Sequence, residues 1–410
     1  MIVFFHKGAM KVHSCFRHDH WQSKAHRAWF FLCAVCLAFY GAYVLYFSQS
    51  AFLTGGVQTA AAVLWFLLFS GGLFLLFLWA CPRLRPAAVQ QKDSFDLPVF
   101  LGSAALALFV LGFAFLGCYP GGVSYDAANQ WQQAQSGQFN NWHPVFHTLL
   151  IWLVTRVYNH YSFAVLVQIV CFSLALGYAA ASVRRTGAPR WLCLLCAYLT
   201  ALMEPVRNTM MYVGKDNAMT IGCLLLFGQT VQLIRTRGAW LSKTCHALCF
   251  GLALAFTTLV RQNGFLLTLP LGLLAAGCYF RRQKKGVLTG ALCCLGCLAL
   301  IQGGLYSRLD PDNMLEEAVG LPMTLLCNAR QREPELLDGE TRAFLDTLAD
   351  ENGWQNTYRR SDYNSIKFTF FREKIQSQTM TSLLSMAART AAADPRLAFE
   401  TFNEVTGLVW

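Results

Sequence analysis

Up to Tyr306 the chain alternates long charge-free apolar runs with short polar connections. A bilayer core of about 30 Å is crossed by roughly 17 to 25 apolar residues in helical form. Eight runs meet that length: Trp29 to Phe47, Ala60 to Ala80, Leu97 to Gly117, Tyr161 to Val183, Ala218 to Ile234, Thr244 to Val260, Gly264 to Phe280 and Gly286 to Tyr306. A ninth, Trp191 to Met203, is short for a crossing, so it either continues past Pro205 or stops at depth inside the protein. The pattern predicts an all-α polytopic membrane protein with about nine transmembrane helices. Residues 1–28 form an N-terminal tail, 29–306 a transmembrane domain with a large connection at 118–160, and 307–410 a segment of soluble character.

Composition agrees with the pattern. Hydrophobic residues make up 55% of the chain and charged residues 13%, about half the charged share of a soluble domain. The net charge of +11 would suit a nucleic-acid partner if the bases formed one patch, but they do not. With nine crossings, the connections on one side carry 18 Lys or Arg and those on the other carry 4. The positive-inside rule then places the N-terminus in the cytoplasm of a plasma-membrane protein, and residues 307–410 outside. The excess charge is an orientation signal, and no nucleic-acid partner is expected. The basic N-terminal stretch lacks a small-residue cleavage site before its span, which predicts an uncleaved signal anchor.

Twelve of the 16 Cys fall inside expected spans, in three CxxC spacings among other places. Metal or redox pairs sit on turns where thiols converge and ionise, whereas these lie in apolar helices, so packing is the expected role. Of the remaining four, only Cys118 and Cys327 fall on the expected outer side of the membrane, leaving room for at most one disulfide there.

The rare charges mark the candidate site. Only six acids precede Tyr306, and three of them, Asp126, Glu204 and Asp216, fall on the expected outer side with Arg156, Arg207, Lys215 and Arg261. Ionisable groups near a bilayer are costly unless paired or hydrated, so such a one-sided gathering points to function. In YPGGVSYDAANQWQQ, Ser124 caps a short helix that carries Asp126, along a segment expected to lie on the membrane surface. Asp126 then either completes that cap or serves as a functional acid. His143 and His147 in HPVFH are four apart, which places them on one helix face at metal-ligand spacing; without an adjacent carboxylate, interfacial hydrogen bonding is the simpler role, with Pro144 as the first helical residue. Lys215 and Asp216 open a helix, and Arg261, Gln262 and Asn263 occupy the tip of a tight hairpin.

Taken together, YPGGVSYDAANQWQQ, WHPVFHTLL from Trp142, YVGKDNAM with Lys215 and Asp216, VRQNG with Arg261 and Asn263, and EEAVGLPMTLLCNARQ from Glu316 resemble a family of bacterial multi-pass membrane proteins. That family is related to the GT-C glycosyltransferases, and the resemblance runs from about residue 100 to the end. It implies a GT-C-like fold and transfer of a sugar from a polyprenyl-phosphate donor to a glycan or lipid acceptor at the outer face of the membrane. It further implies Asp126 as general base or as ligand to a divalent cation. Lys215, Arg207 and Arg261 become candidates for holding the departing phosphate, with Glu204 or Asp216 as a second acid and Asn263 and His143 in support. The stretch around Glu204 and Arg207 does not match the family pattern.

Residues 307–410 hold 16 acids and 11 bases. Asp338 to Ala349, with Phe344, Leu345 and Leu348 on one side, and Lys374 to Ala393, with Met380, Leu383, Leu384 and Ala387, read as amphipathic helices. GT-C enzymes use such outer segments to shape acceptor choice; a cap without catalytic residues is the other possibility. The closing FNEVTGLVW is an apolar run at which the related proteins continue into the membrane, so a shortened product or short variant is expected. Two other functions compete: a transporter or flippase of lipid-linked precursors, which calls for mid-membrane charges and an internal repeat, and a non-catalytic membrane protein.

Overall fold

A computed structural model describes residues 94–309, 311, 315–359, 361–363, 365 and 372–406, with a few positions between 60 and 72. The expected tail 1–28, the span Trp29 to Phe47 and most of Ala60 to Ala80 lie outside the described residues. Helices dominate, and among the described residues an isolated bridge joins Arg359 and Asp362.

The described residues from 94 to 311 form one compact unit. Its helices are α1 (Leu97–Gly117), α2 (Tyr125–Ser136), α3 (Val145–Val157), α4 (Tyr161–Arg184), α5 (Arg190–Leu202), α6 (Glu204–Met210), α7 (Lys215–Arg235), α8 (Thr244–Leu259), α9 (Phe265–Tyr279) and α10 (Lys284–Leu309). Four of them, α1, α4, α7 and α10, with 21, 24, 21 and 26 residues, are long and apolar enough to cross a membrane. The helices α5, α8 and α9 are apolar but shorter. The run from Trp191 ends as a helix at Leu202, and after the break at Met203 a separate short helix, α6, begins with Pro205 in its first turn.

Local sequence sets the boundaries. Asp96 caps α1 by accepting the Val99 N–H, and Ser124 caps α2 by accepting the Ala127 N–H. Gly137, at φ 73°, ends α2 in the left-handed conformation that a side chain disfavours. The long helices then pack closely through small residues, since lipid supplies no hydrophobic drive between helices. A Cβ on Gly177 would lie 2.6 Å from the Phe100 carbonyl oxygen of α1, and one on Gly251 of α8 would lie 2.3 Å from the Gly290 carbonyl oxygen of α10. Around these approaches Leu111 and Phe115 of α1 pack with Val165, Ile169 and Phe172 of α4.

Hydrogen bonds sort the connections into two ends. At one end Tyr161 donates to the Gly122 carbonyl (2.8 Å), Gln262 to the Asn141 carbonyl (2.8 Å), and the Phe146 N–H to the Tyr306 hydroxyl (2.8 Å). At the other, Arg184 and Arg190 both meet Asp96, and Gln232 of α7 donates to Ser182 of α4.

The described residues from Leu315 on belong to a second unit with its own core. They form α11 (Leu315–Ala318), α12 (Gly320–Arg332), α13 (Gly339–Asp346), α14 (Glu351–Asn356), α15 (Arg372–Gln376), α16 (Met380–Ala393) and α17 (Pro395–Thr406). Phe344, Leu345 and Leu348 are buried as the pattern requires. The expected helix from Lys374 to Ala393 is instead two, because Thr379 caps α16 and interrupts it; Leu383 and Ala387 face the core but Leu384 is exposed. Phe402 and Asn403 of the closing stretch sit in α17, while 407–410 lie outside the described residues. Cys118 and Cys327 are free thiols.

Packing this tight gives a specific expectation. Gly251→Ala forces α8 away from α10 and lowers stability by about 1–3 kcal/mol, whereas Gly296→Ala, which meets nothing within 4 Å, leaves it unchanged. Unfolding of the two variants in one detergent checks this; equal stabilities would show that the helices are not in close contact.

Candidate functional site

The end of the helical unit that carries Asp126 collects most of the sequence candidates. Asp126 stands in the first turn of α2, where a carboxylate favours the helix dipole. Lys215 is the first residue of α7, and its Nζ donates to Asp126 Oδ2 at 2.7 Å. The same Nζ lies 2.9 Å from His143 Nδ1, and His143 Nε2 lies 3.6 Å from Asp126 Oδ1. His143 is buried, Lys215 largely so, and Asp126 about half exposed. One ammonium thus bridges an accessible carboxylate and a buried imidazole.

A second ion pair adjoins the first in sequence. Asp216 pairs with Arg261, whose Nε donates to Asn263 Oδ1 at 2.8 Å. The side chain of Gln262 fastens this hairpin to the Asn141 carbonyl, two residues before His143. Asp126, His143, Lys215, Asp216, Arg261 and Asn263 therefore lie in one connected patch. Glu204 and Arg207 do not join it: both sit exposed on α6 and, among the described residues, their side chains make no hydrogen bond or ion pair.

The histidine spacing needs correction. α3 begins at Val145 with Pro144 as its N-cap, so His143 precedes the helix and does not share a helical face with His147. The surface segment also holds more structure than its composition indicated. α2 buries Gln130 and Gln133 along with Ala127 and Ala134, and Gln130 donates to Thr148 Oγ1 (3.1 Å) while its Oε1 lies 3.1 Å from His147 Nδ1. Such a polar layer is stable because each member is paired.

Two amides set the height of Lys215. Gln168, inside α4, donates to the Met210 and Tyr212 carbonyls (3.3 and 2.9 Å) and accepts the Gly214 N–H (3.1 Å). Asn217, fully buried, donates to the Thr209 and Tyr212 carbonyls. Sequence reasoning passed over both. The available signal was a lone glutamine within an otherwise apolar span, a group too costly to bury without partners.

Below the polar layer an apolar cleft of about 620 Å³ runs between α3, α4 and α7. His147, Gln168 and Val213 line it near the site, and Leu174, Tyr178 and Phe100 line it farther along. Among the described residues no group of three His, Cys, Asp or Glu side chains could hold a metal ion. Lys215 also occupies the Asp126 carboxylate with positive charge. Among the described residues, those around Asp126 do not make a three-ligand cation site.

No family model, curated protein or solved structure matches the chain.

His147 supplies a pH test of this arrangement. Burial, reinforced by the Lys215 charge and the His143 ring, pushes its imidazole from 6.5 down to about 3. Between those values the unfolded chain binds the extra proton, so the histidine's contribution to stability is whole above 6.5 and is lost progressively as pH falls toward 3. His147→Gln removes that loss, flattening the acid limb by up to about 1.4 kcal/mol per pH unit. Detergent melting curves of both proteins from neutral to acid pH measure it; parallel curves would mean that His147 is accessible to protons in the folded state.

Proposed function

We propose that this chain is a multi-pass plasma-membrane protein of GT-C type. It transfers a sugar from a polyprenyl-phosphate donor to a cell-envelope glycan or lipid acceptor at the face of the membrane away from the cytoplasm. The observation that carries the reading is the patch of Asp126, Lys215, His143, Asp216 and Arg261 at one end of a helical unit, above an open apolar cleft. The patch suits a charged headgroup, and the cleft suits a hydrocarbon chain. The 18-to-4 distribution of basic residues between connections supports nine crossings with the patch outside.

In the proposed reaction the acceptor hydroxyl loses its proton to Asp126 as its oxygen attacks the anomeric carbon. The bond from that carbon to the phosphate oxygen breaks, and the phosphate departs with the electron pair. Developing charge on the phosphate meets Arg261, whose guanidinium can engage two oxygens, and Lys215, which acts as a point charge. Each cation is paired with a carboxylate before substrate arrives. A phosphate that takes Lys215 thereby draws that ammonium away from Asp126, which orders the sequence: donor first, then proton transfer. His143 steadies Lys215 through that exchange. No step requires Glu204 or Arg207, and none is routed through a metal ion.

A transporter reading finds less support. Among the described residues the long helices carry their charges at their ends, and none at mid-length.

Asp126→Asn keeps the shape of the site and removes the base, which lowers glycosyl transfer by about 10²–10⁴-fold. The measurement is the envelope glycan profile of a deletion strain complemented with wild type or variant. Full restoration by Asp126→Asn defeats the general-base role, and a deletion that changes no glycan defeats the enzymatic reading.

A further inference from the structure

A second polar pocket, of about 370 Å³, lies at the end of the helical unit opposite Asp126. Its lining comes from the start of α1 and from the turn between α4 and α5, and includes Asp96, Arg184, Arg185 and Arg190. Three arginines and one carboxylate therefore line the pocket. The two arginines that meet Asp96 do so through the same oxygen: Arg190 Nε at 3.1 Å and Arg184 Nε at 3.2 Å from Oδ2. The Nη1 of Arg184 donates to the Ala188 carbonyl at 3.1 Å, and no hydrogen bond engages either Nη of Arg190 among the described residues. Asp96 is buried and also accepts the Val99 N–H as the cap of α1. Burial pushes its carboxyl up, but the Arg190 hydrogen bond, the Val99 N–H and the charges of Arg190 and Arg184 outweigh that and hold it below its ordinary value. It is thus ionised at neutral pH, and among the described residues two guanidinium groups, those of Arg184 and Arg190, share this one carboxylate.

Orientation alone asks only for bases on this side; it does not ask that they converge on one pocket around a buried acid. The pocket's surroundings narrow the ligand. Phe95, Leu97 and Trp191, beside Asp96 and Arg190 in the sequence, are exposed apolar or aromatic residues where the apolar helices begin. An anion with acyl chains would gain from both, and a tryptophan there is placed as membrane-surface tryptophans are.

We propose that Asp96, Arg184, Arg185 and Arg190 form a binding site for a phosphate group, separate from the glycosyl-transfer patch and independent of that assignment. The phosphate makes charge-assisted hydrogen bonds to the guanidinium groups, with Arg190 offering the planar pair of donors. Asp96 competes with the ligand for the same cations while holding them in place. The source is either the headgroup of an anionic phospholipid in the adjoining leaflet or a free phosphate.

The test is titration of the purified full chain in neutral detergent with phosphatidylglycerol, with phosphatidylcholine, and with inorganic phosphate against chloride at equal ionic strength. Melting temperature and native mass spectrometry report binding. Wild type is stabilised saturably by phosphatidylglycerol but not by phosphatidylcholine. Stabilisation by inorganic phosphate as well identifies a free anion as sufficient, and its absence identifies the lipid headgroup. Arg190→Gln weakens the midpoint about tenfold, the worth of one charge-assisted hydrogen bond. Asp96→Asn, which keeps the cap of α1, tightens it by removing the competitor. The proposal fails if neither anion stabilises wild type beyond its control, if Arg190→Gln binds like wild type, or if a folded Asp96→Asn binds more weakly.

Discussion

The side-chain amide of Gln168 is the constraint on which the candidate site rests. After α6 ends at Met210 the chain is not helical through Gly214, and the backbone groups there approach an apolar helix where no solvent satisfies them. Gln168 uses both its donors and its acceptor on that segment, and Asn217 closes it from the other side. Lys215 follows immediately, so its distance to Asp126 is set by this clamp and not by the ion pair alone. An ion pair with one partner half exposed is worth little as a structural tie. The amide bonds do the positioning, and the charges remain available for exchange.

Neutral pairing explains why charge counting says so little about this patch. Asp126 with Lys215 and Asp216 with Arg261 cancel in pairs, so no static anion-attracting field follows from the composition. The pairs nevertheless differ in accessibility. Asp126 is about half exposed while Lys215 is mostly covered and backed by the buried His143. A ligand arriving from solvent meets the carboxylate first, and an anion must displace that carboxylate to reach the ammonium. Under the proposed reaction this geometry couples donor binding to release of the base.

Much of this architecture was legible in the sequence, for one reason: the bilayer criterion is a length criterion. The runs at Leu97, Tyr161, Ala218, Thr244, Gly264 and Gly286 each became a helix within a few residues of the expected ends. The caps at Ser124 and the opening of α7 at Lys215 were also readable, since local side-chain chemistry fixes them. What escaped was whatever depends on a distant partner. The pairing of Lys215 with Asp126 spans 89 positions, and that of Gln262 with Asn141 spans 121. The histidine pair failed for a local reason: Pro144 sets the start of α3 after His143, which breaks the four-residue spacing that a continuous helix would give.

The vertical order of polarity carries the strongest link between fold and proposed chemistry. Ion pairs occupy the accessible level. Beneath them lies a level of neutral hydrogen-bonding groups, Gln130, Thr148, His147 and Gln168, and beneath that the apolar cleft. A charged residue at the middle level would be expensive, and the depressed proton affinity of His147 shows the cost being avoided by staying neutral. The gradation matches an amphiphile with an anionic head, a polar junction and a hydrocarbon tail more closely than it matches a soluble sugar or a permeating ion. An ion would need hydration or counter-charge along the whole cleft, which its mainly apolar lining does not provide. A lipid-linked donor needs charge at one level only, where Lys215 and Arg261 stand.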